Sequence, residues 1–191
     1  MESILKHRLA YIAFGGNMLS PVGNPTVTCC LALGRLVSAA IQITAVSRFF
    51  RTPAYPAGSG PEFVNGAARL STSLSAQALL ERLHLIESQF ARERRGRWSA
   101  RTLDLDLIGI EQDVLPDKAT VQAWMNLSPD CQRTETPTRL LLPHPRLQDR
   151  AFVLIPLAEI APEWRHPLTG KTVAEMADAL SDAAKAAITP F

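Results

Sequence analysis

At 191 residues, with 47% hydrophobic and 20% charged side chains, the chain is long enough to bury one sizeable core without a disulfide or structural metal. Its formal charge of +2 excludes the strong global field of a bulk nucleic-acid or membrane binder. Three cysteines, two of them adjacent at Cys29 and Cys30, form neither a disulfide framework nor a spaced ligand set, so a reducing, cytoplasmic setting is expected, with no export signal and no membrane span.

Leu9 to Phe14 reads as a buried first strand, and Gly15-Gly16-Asn17 after it reads as a turn, because the third glycine of a dinucleotide fingerprint is missing. Asn24-Pro25 offers an N-cap with proline at the first position of a helix running to about Ser38. Ile41 to Arg51 is rich in β-branched and aromatic residues, Thr52 to Pro61 is a Pro/Gly-rich loop, and Glu62 to Ser71 returns as a strand. Behind a Ser75 cap, Leu79, Leu83, Ile86 and Phe90 fall on one helical face. A basic loop leads into residues 101 to 110, which alternate as a strand. The order β-α-β-β-α-β is that of a ferredoxin-like α+β sandwich: an antiparallel sheet with helices on one face and the other face open to ligands. Residues 112 to 138 show no steady period and read as a long loop, with three readings open: a shield over a ligand pocket, an association surface or, favoured here, a neutral surface insertion. Asp149 is expected to cap a helix carrying Phe152, Ile155, Leu157 and Ile160, and Val173 to about Ala187 to form one final helix. No repeat or linker divides residues 1–191, so one domain is expected.

The stretch from Arg92 to Asp106 carries the most chemistry. Strand alternation points Asp104 and Asp106 together, while Leu103, Leu105 and Leu107 point into the core. Two carboxylates about 6 to 7 Å apart repel by about 2 to 3 kcal/mol at an effective dielectric near 20. A hard divalent cation offsets that repulsion and completes its shell with water and phosphate oxygens, which suit the neighbouring arginines. The plain alternative is a solvated edge strand whose aspartates pair with Arg101. Pro143-His144-Pro145-Arg146, with Arg150 nearby, holds a histidine beside two guanidiniums. Phe63 and Asn65, two apart on a strand, place a flat apolar surface beside an amide. Gly170-Lys171-Thr172 lacks the opening glycine of a P-loop and is set aside.

Taken in order, the early Tyr-Ile-Ala-Phe-Gly-Gly-Asn segment, Phe50-Arg51-Thr52-Pro53, Phe63-Val64-Asn65, Arg101-Thr102-Leu103-Asp104-Leu105-Asp106 and Pro143-His144-Pro145-Arg146 with Arg150-Ala151-Phe152 make the chain resemble the 6-hydroxymethyl-7,8-dihydropterin pyrophosphokinases of folate biosynthesis. The resemblance implies transfer of the diphosphoryl unit of ATP to the pterin hydroxymethyl group, with release of AMP. It implies that Asp104 and Asp106 hold two Mg²⁺ ions and that Arg92, Arg101, His144 and Arg150 contact the phosphates. Phe63 and Phe152 match the walls of the pterin site, and Asn65 matches the amide that reads the ring edge, helped by Thr52, Pro53, Ala54 and Tyr55. Glu87, Leu107, Leu140 and Leu141 fall where the family contacts base and ribose. Arg94 and Trp98 fall in a loop that closes over both substrates. Gly16 stands where a serine is common, and Pro145 replaces an aromatic found in some members. A monomer acting on small molecules, without nucleic acid or membrane, is expected. Two rivals are an RNA-binding sheet, which leaves the paired aspartates unexplained, and another Mg²⁺-dependent phosphotransferase on the same scaffold, which would release ADP instead of AMP.

Overall fold

The computed structural model describes residues 6–54, 60–90 and 101–191. Its sheet runs in the order β5 (Asp104–Ile110), β1 (Arg8–Gly16), β4 (Phe63–Thr72), β3 (Phe50–Thr52) and β6 (Thr189–Pro190), with β2 (Ile41–Val46) also paired to β4. The central strand β1 (Arg8–Gly16) is antiparallel to both β4 (Phe63–Thr72) and β5 (Asp104–Ile110), which leaves β5 at an edge. From Ala10 to Gly16 every β1 residue is buried, as a strand covered on both faces must be.

Against one face lie α1 (Pro25–Leu36) and α2 (Ala76–Gln89), capped by Asn24 and Ser75 as the sequence predicts. Their apolar stripes meet Ile12, Phe14, Leu70, Leu103, Leu105 and Leu107 in the larger core. Full burial of such a side chain contributes about 1.5 to 3 kcal/mol. The opposite face is not left open. There α5 (Ala151–Ile160) and α6 (Val173–Asp178) cover Tyr11, Ala13, Ala67 and Ile108 with a second core built on Val153, Leu154, Leu157 and Trp164. Among the described residues, the end of this face at Gly15 and Asn65 opens on a cavity.

Four further expectations are corrected. Ile41 to Arg51 is two strands, β2 (Ile41–Val46) and β3 (Phe50–Thr52). The break is held by the Ser47 hydroxyl, which accepts from Ala67 N–H at 2.9 Å, and by Glu159, which accepts from Arg48 N–H at 2.9 Å. The excursion contains two helices, α3 (Lys118–Met125) capped by Asp117 and α4 (Pro129–Thr134) capped by Ser128; α3 buries only Val121, too little to leave a periodic signal. Asp149 does not cap α5. It closes a 3-10 turn (Leu147–Asp149) and accepts from Gln148 Nε2 at 3.2 Å, leaving Arg150 as the residue at the cap position. The final helix is interrupted, because Ser181 caps a separate α7 (Asp182–Ala186), after which β6 (Thr189–Pro190) adds to β3.

Candidate active site

Asp104 and Asp106 stand at the start of edge strand β5, opposite Gly15 and Ala13 of β1. Both carboxylates line one cavity of about 990 Å³. The three intervening and flanking leucines, Leu103, Leu105 and Leu107, are 0%, 2% and 4% exposed, so the alternation read from sequence is present. Each aspartate already has a cation: Arg101 Nη1 lies 2.6 Å from Asp104 Oδ1, and Arg150 Nη1 lies 3.3 Å from Asp106 Oδ2. Two guanidiniums thus offset part of the repulsion that the sequence alone assigned to a metal. Among the described residues no cluster of three or more His, Cys, Asp or Glu side chains forms a protein cage. Two carboxylates opening on a cavity fit an ion such as Mg²⁺, which takes one or two protein oxygens and keeps its other positions for water and phosphate.

The arginines are held by backbone devices. Arg101 O accepts from Asn17 N–H at 2.9 Å and from Met18 N–H at 3.1 Å, while Arg101 N–H donates to Asn17 Oδ1 at 2.9 Å. Asn17 Nδ2 donates onward to Pro61 O at 3.1 Å, so one buried amide ties the aspartate strand to the loop before β4. The local sequence predicts only a turn at Asn17, because its partners are 44 and 84 positions away, beyond any local pattern. A Cβ on Gly16 would lie 2.5 Å from Thr102 O, which explains the glycine where a serine is common. Arg150 projects from the start of α5, its guanidinium carbon 5.7 Å from the Phe152 ring centroid.

His144 N–H donates to Ile108 O at 2.8 Å, fixing the Pro143–Arg146 segment along the β5 edge. Its Nδ1 accepts from Arg146 N–H at 3.1 Å, which assigns the ring proton to Nε2. Burial, then the guanidiniums of Arg150 and Arg146, push the imidazole down to about 3, so it is neutral.

At the other end of the same cavity, Asn65 Nδ2 donates to Thr52 Oγ1 at 2.7 Å, with Pro53, Phe63 and Phe152 around it. A Cβ at Gly15 would fall 2.2 Å from Asn65 Oδ1. Only glycine lets the amide lie across β1. Ala54 is buried and does not line the cavity. Leu107, Leu140 and Leu141 do line it. Glu87 does not: its side chain is 2% exposed and Oε1 accepts from Leu105 N–H at 2.7 Å. Its carboxylate grips the backbone between the two aspartates, and the expected nucleotide contact is corrected to that structural one. Arg139, not singled out from the sequence, also lines the cavity, as does Arg146 of the Pro143–Arg146 segment. Arg92, Arg94, Trp98 and Tyr55 lie outside the described residues.

Residues 11–162 match the family model described as 7,8-dihydro-6-hydroxymethylpterin-pyrophosphokinase. The chain belongs to this family. Among its relatives, a 2-amino-4-hydroxy-6-hydroxymethyldihydropteridine pyrophosphokinase of Synechocystis is 37% identical over 167 residues, covering 87% of this chain and 73% of the relative. A pyrophosphokinase of the same name from Pseudomonas aeruginosa is 35% identical over 158 residues, covering 82% and 83%. The solved Plasmodium falciparum HPPK-DHPS wild type superposes with a TM-score of 0.61 at 13% identity over 91% of this chain. That likeness carries the pyrophosphokinase fold alone, since the chain spans only 44% of the longer Plasmodium protein.

Proposed function

We propose that the chain transfers the β,γ-diphosphoryl group of ATP to the hydroxymethyl oxygen of 6-hydroxymethyl-7,8-dihydropterin, a step of folate biosynthesis. The observation that carries this reading is one cavity with two chemistries. The Asn65 amide lines it together with Phe63 and Phe152, and a carboxylate pair engaged by guanidiniums lines it as well. Family membership supports the same reaction.

The pterin ring lies between Phe63 and Phe152, and Asn65 reads its edge while Thr52 fixes the amide's orientation. Pro53 lines this end with them. Asp104 and Asp106 would hold Mg²⁺, two ions with ATP bound, and the metal would neutralise and align the phosphates. The pterin oxygen attacks the β-phosphorus, the bond from that phosphorus to the α,β-bridging oxygen breaks, and the hydroxyl proton leaves to solvent. AMP departs carrying the new charge. Arg101 and Arg150 exchange their carboxylates for phosphate oxygens, and neutral His144 donates its Nε2–H, so these three follow the charge toward AMP. Arg92 joins them by resemblance. Positioning carries most of the rate, because phosphoryl-type transfers ask little covalent chemistry of the protein. The chain works as a cytoplasmic monomer; its three cysteines are free, and no described helix is long and apolar enough to cross a membrane.

The test is an assay with ATP, the pterin and Mg²⁺ that resolves adenine products. AMP appearing in step with pterin diphosphate is expected. ADP instead would indicate monophosphoryl transfer, and absence of pterin-dependent AMP would overturn the assignment.

A further inference from the structure

The excursion between β5 and the Pro143–Arg146 segment is fastened at its base and reaches the cavity. Leu115 and Leu142 exchange both backbone hydrogen bonds, at 2.9 and 3.0 Å. Asp117 caps α3 through Thr120 N–H at 2.8 Å and also accepts from the Thr120 hydroxyl at 2.8 Å. Val121 is fully buried and anchors the helix. Trp124 follows at i+3, on the same helical face, half-buried and lining the cavity together with Leu127. Leu80 and His84 of α2 and Leu107 of β5 line the same cavity. Strand alternation puts Leu107 on the α2 face of the sheet, whereas Asn65 and the aspartates stand on the α5 face. The cavity therefore reaches both faces of the β5 edge, and its second part is a slot where Trp124, Leu127, Leu80 and Leu107 supply apolar surface and Gln77, His84, Glu135 and Arg139 supply polar groups.

We propose that Trp124 stacks on the base of ATP and makes the excursion the base-selecting wall of the site. This assignment rests on the diphosphoryl-transfer reading, which gives the slot a nucleotide. A flat purine matches the slot in the way the pterin matches Phe63 and Phe152 at the other end. A neutral insertion would not bring an aromatic to the cavity on a helix anchored by its own core residue.

The experiment compares wild type, Trp124→Ala and Trp124→Phe in steady-state turnover with varied ATP and varied pterin. Loss of base stacking should raise KM for ATP about tenfold in Trp124→Ala, with kcat and KM for pterin within about twofold, and Trp124→Phe should recover most of the loss. In parallel, α,β-methylene-ATP with Mg²⁺ should quench wild-type indole emission more than that of Trp124→Phe, a readout that holds even if the alanine variant folds poorly. An unchanged KM for ATP in Trp124→Ala, no rescue by phenylalanine, or equal quenching in wild type and Trp124→Phe overturns the proposal while leaving diphosphoryl transfer intact. If wild type forms no pterin-dependent AMP, the underlying reading falls and this assignment falls with it.

Discussion

Asp104 and Asp106 reach the cavity already engaged by Arg101 and Arg150, so on the proposed assignment metal and phosphate exchange partners with them rather than enter an empty cage. On the proposed assignment, removing either carboxylate loses a metal oxygen and frees a guanidinium to hold phosphate unproductively. Asp104→Ala and Asp106→Ala should each lower kcat by about 10²- to 10³-fold or more, with the circular dichroism spectrum unchanged. Near-wild-type turnover would remove both from the metal site. His144 offers a pH test. Its folded-state value, near 3, lies below the ordinary 6.5, so the unfolded chain takes up the proton first. Its contribution to stability is complete above about pH 6.5 and is lost as pH falls toward 3. Thermal melts over that range should slope less steeply in His144→Gln than in wild type, and identical slopes would show that the ring titrates normally.

Among the elements, β5 shows how a buried acid can serve a site it never touches. Glu87 on α2 accepts from Leu105 N–H at the point where the strand turns its two aspartates outward. Glu87→Leu strands a buried N–H, which costs about 1 to 3 kcal/mol, and should lower Tm by about 5 °C and slow turnover; Glu87→Gln keeps the acceptor oxygen and should fall much less. Equal melting of the two variants would exclude that contact as the cause. The strand was legible because alternating Asp and Leu needs only a period of two. Glu87 was not, because its partner is 18 residues away and the family resemblance alone put it at the nucleotide. The division of β2 from β3 was hidden for a related reason: Arg48 and Glu159 are 111 residues apart. Asp149 has the right type for a cap, yet side chains within its own turn claim it first. Caps with no local rival, Asn24, Ser75 and Thr172, appear as local chemistry dictates.

Across the whole molecule, the second layer of helices is what the sequence pattern least disclosed. The β-α-β-β-α-β order accounts for α1 and α2, but α5 and α6 close most of the opposite face and confine ligands to the Gly15 end and the β5 edge. A cavity bordered by both layers couples occupancy to global stability. Mg²⁺ with α,β-methylene-ATP and pterin, each near 100 times Kd, should raise Tm by about 5 to 10 °C per ligand, and EDTA should cancel the nucleotide share. A shift unaffected by EDTA would separate nucleotide binding from the metal. The crossing of Asn65 over Gly15 bears on how this enzyme could evade an antifolate directed at its pterin end. Every single-base change that alters a glycine codon without ending the chain adds a Cβ, and a Cβ there evicts the amide proposed to read the substrate. Resistance arising at Gly15 would therefore cost the cell its own folate supply.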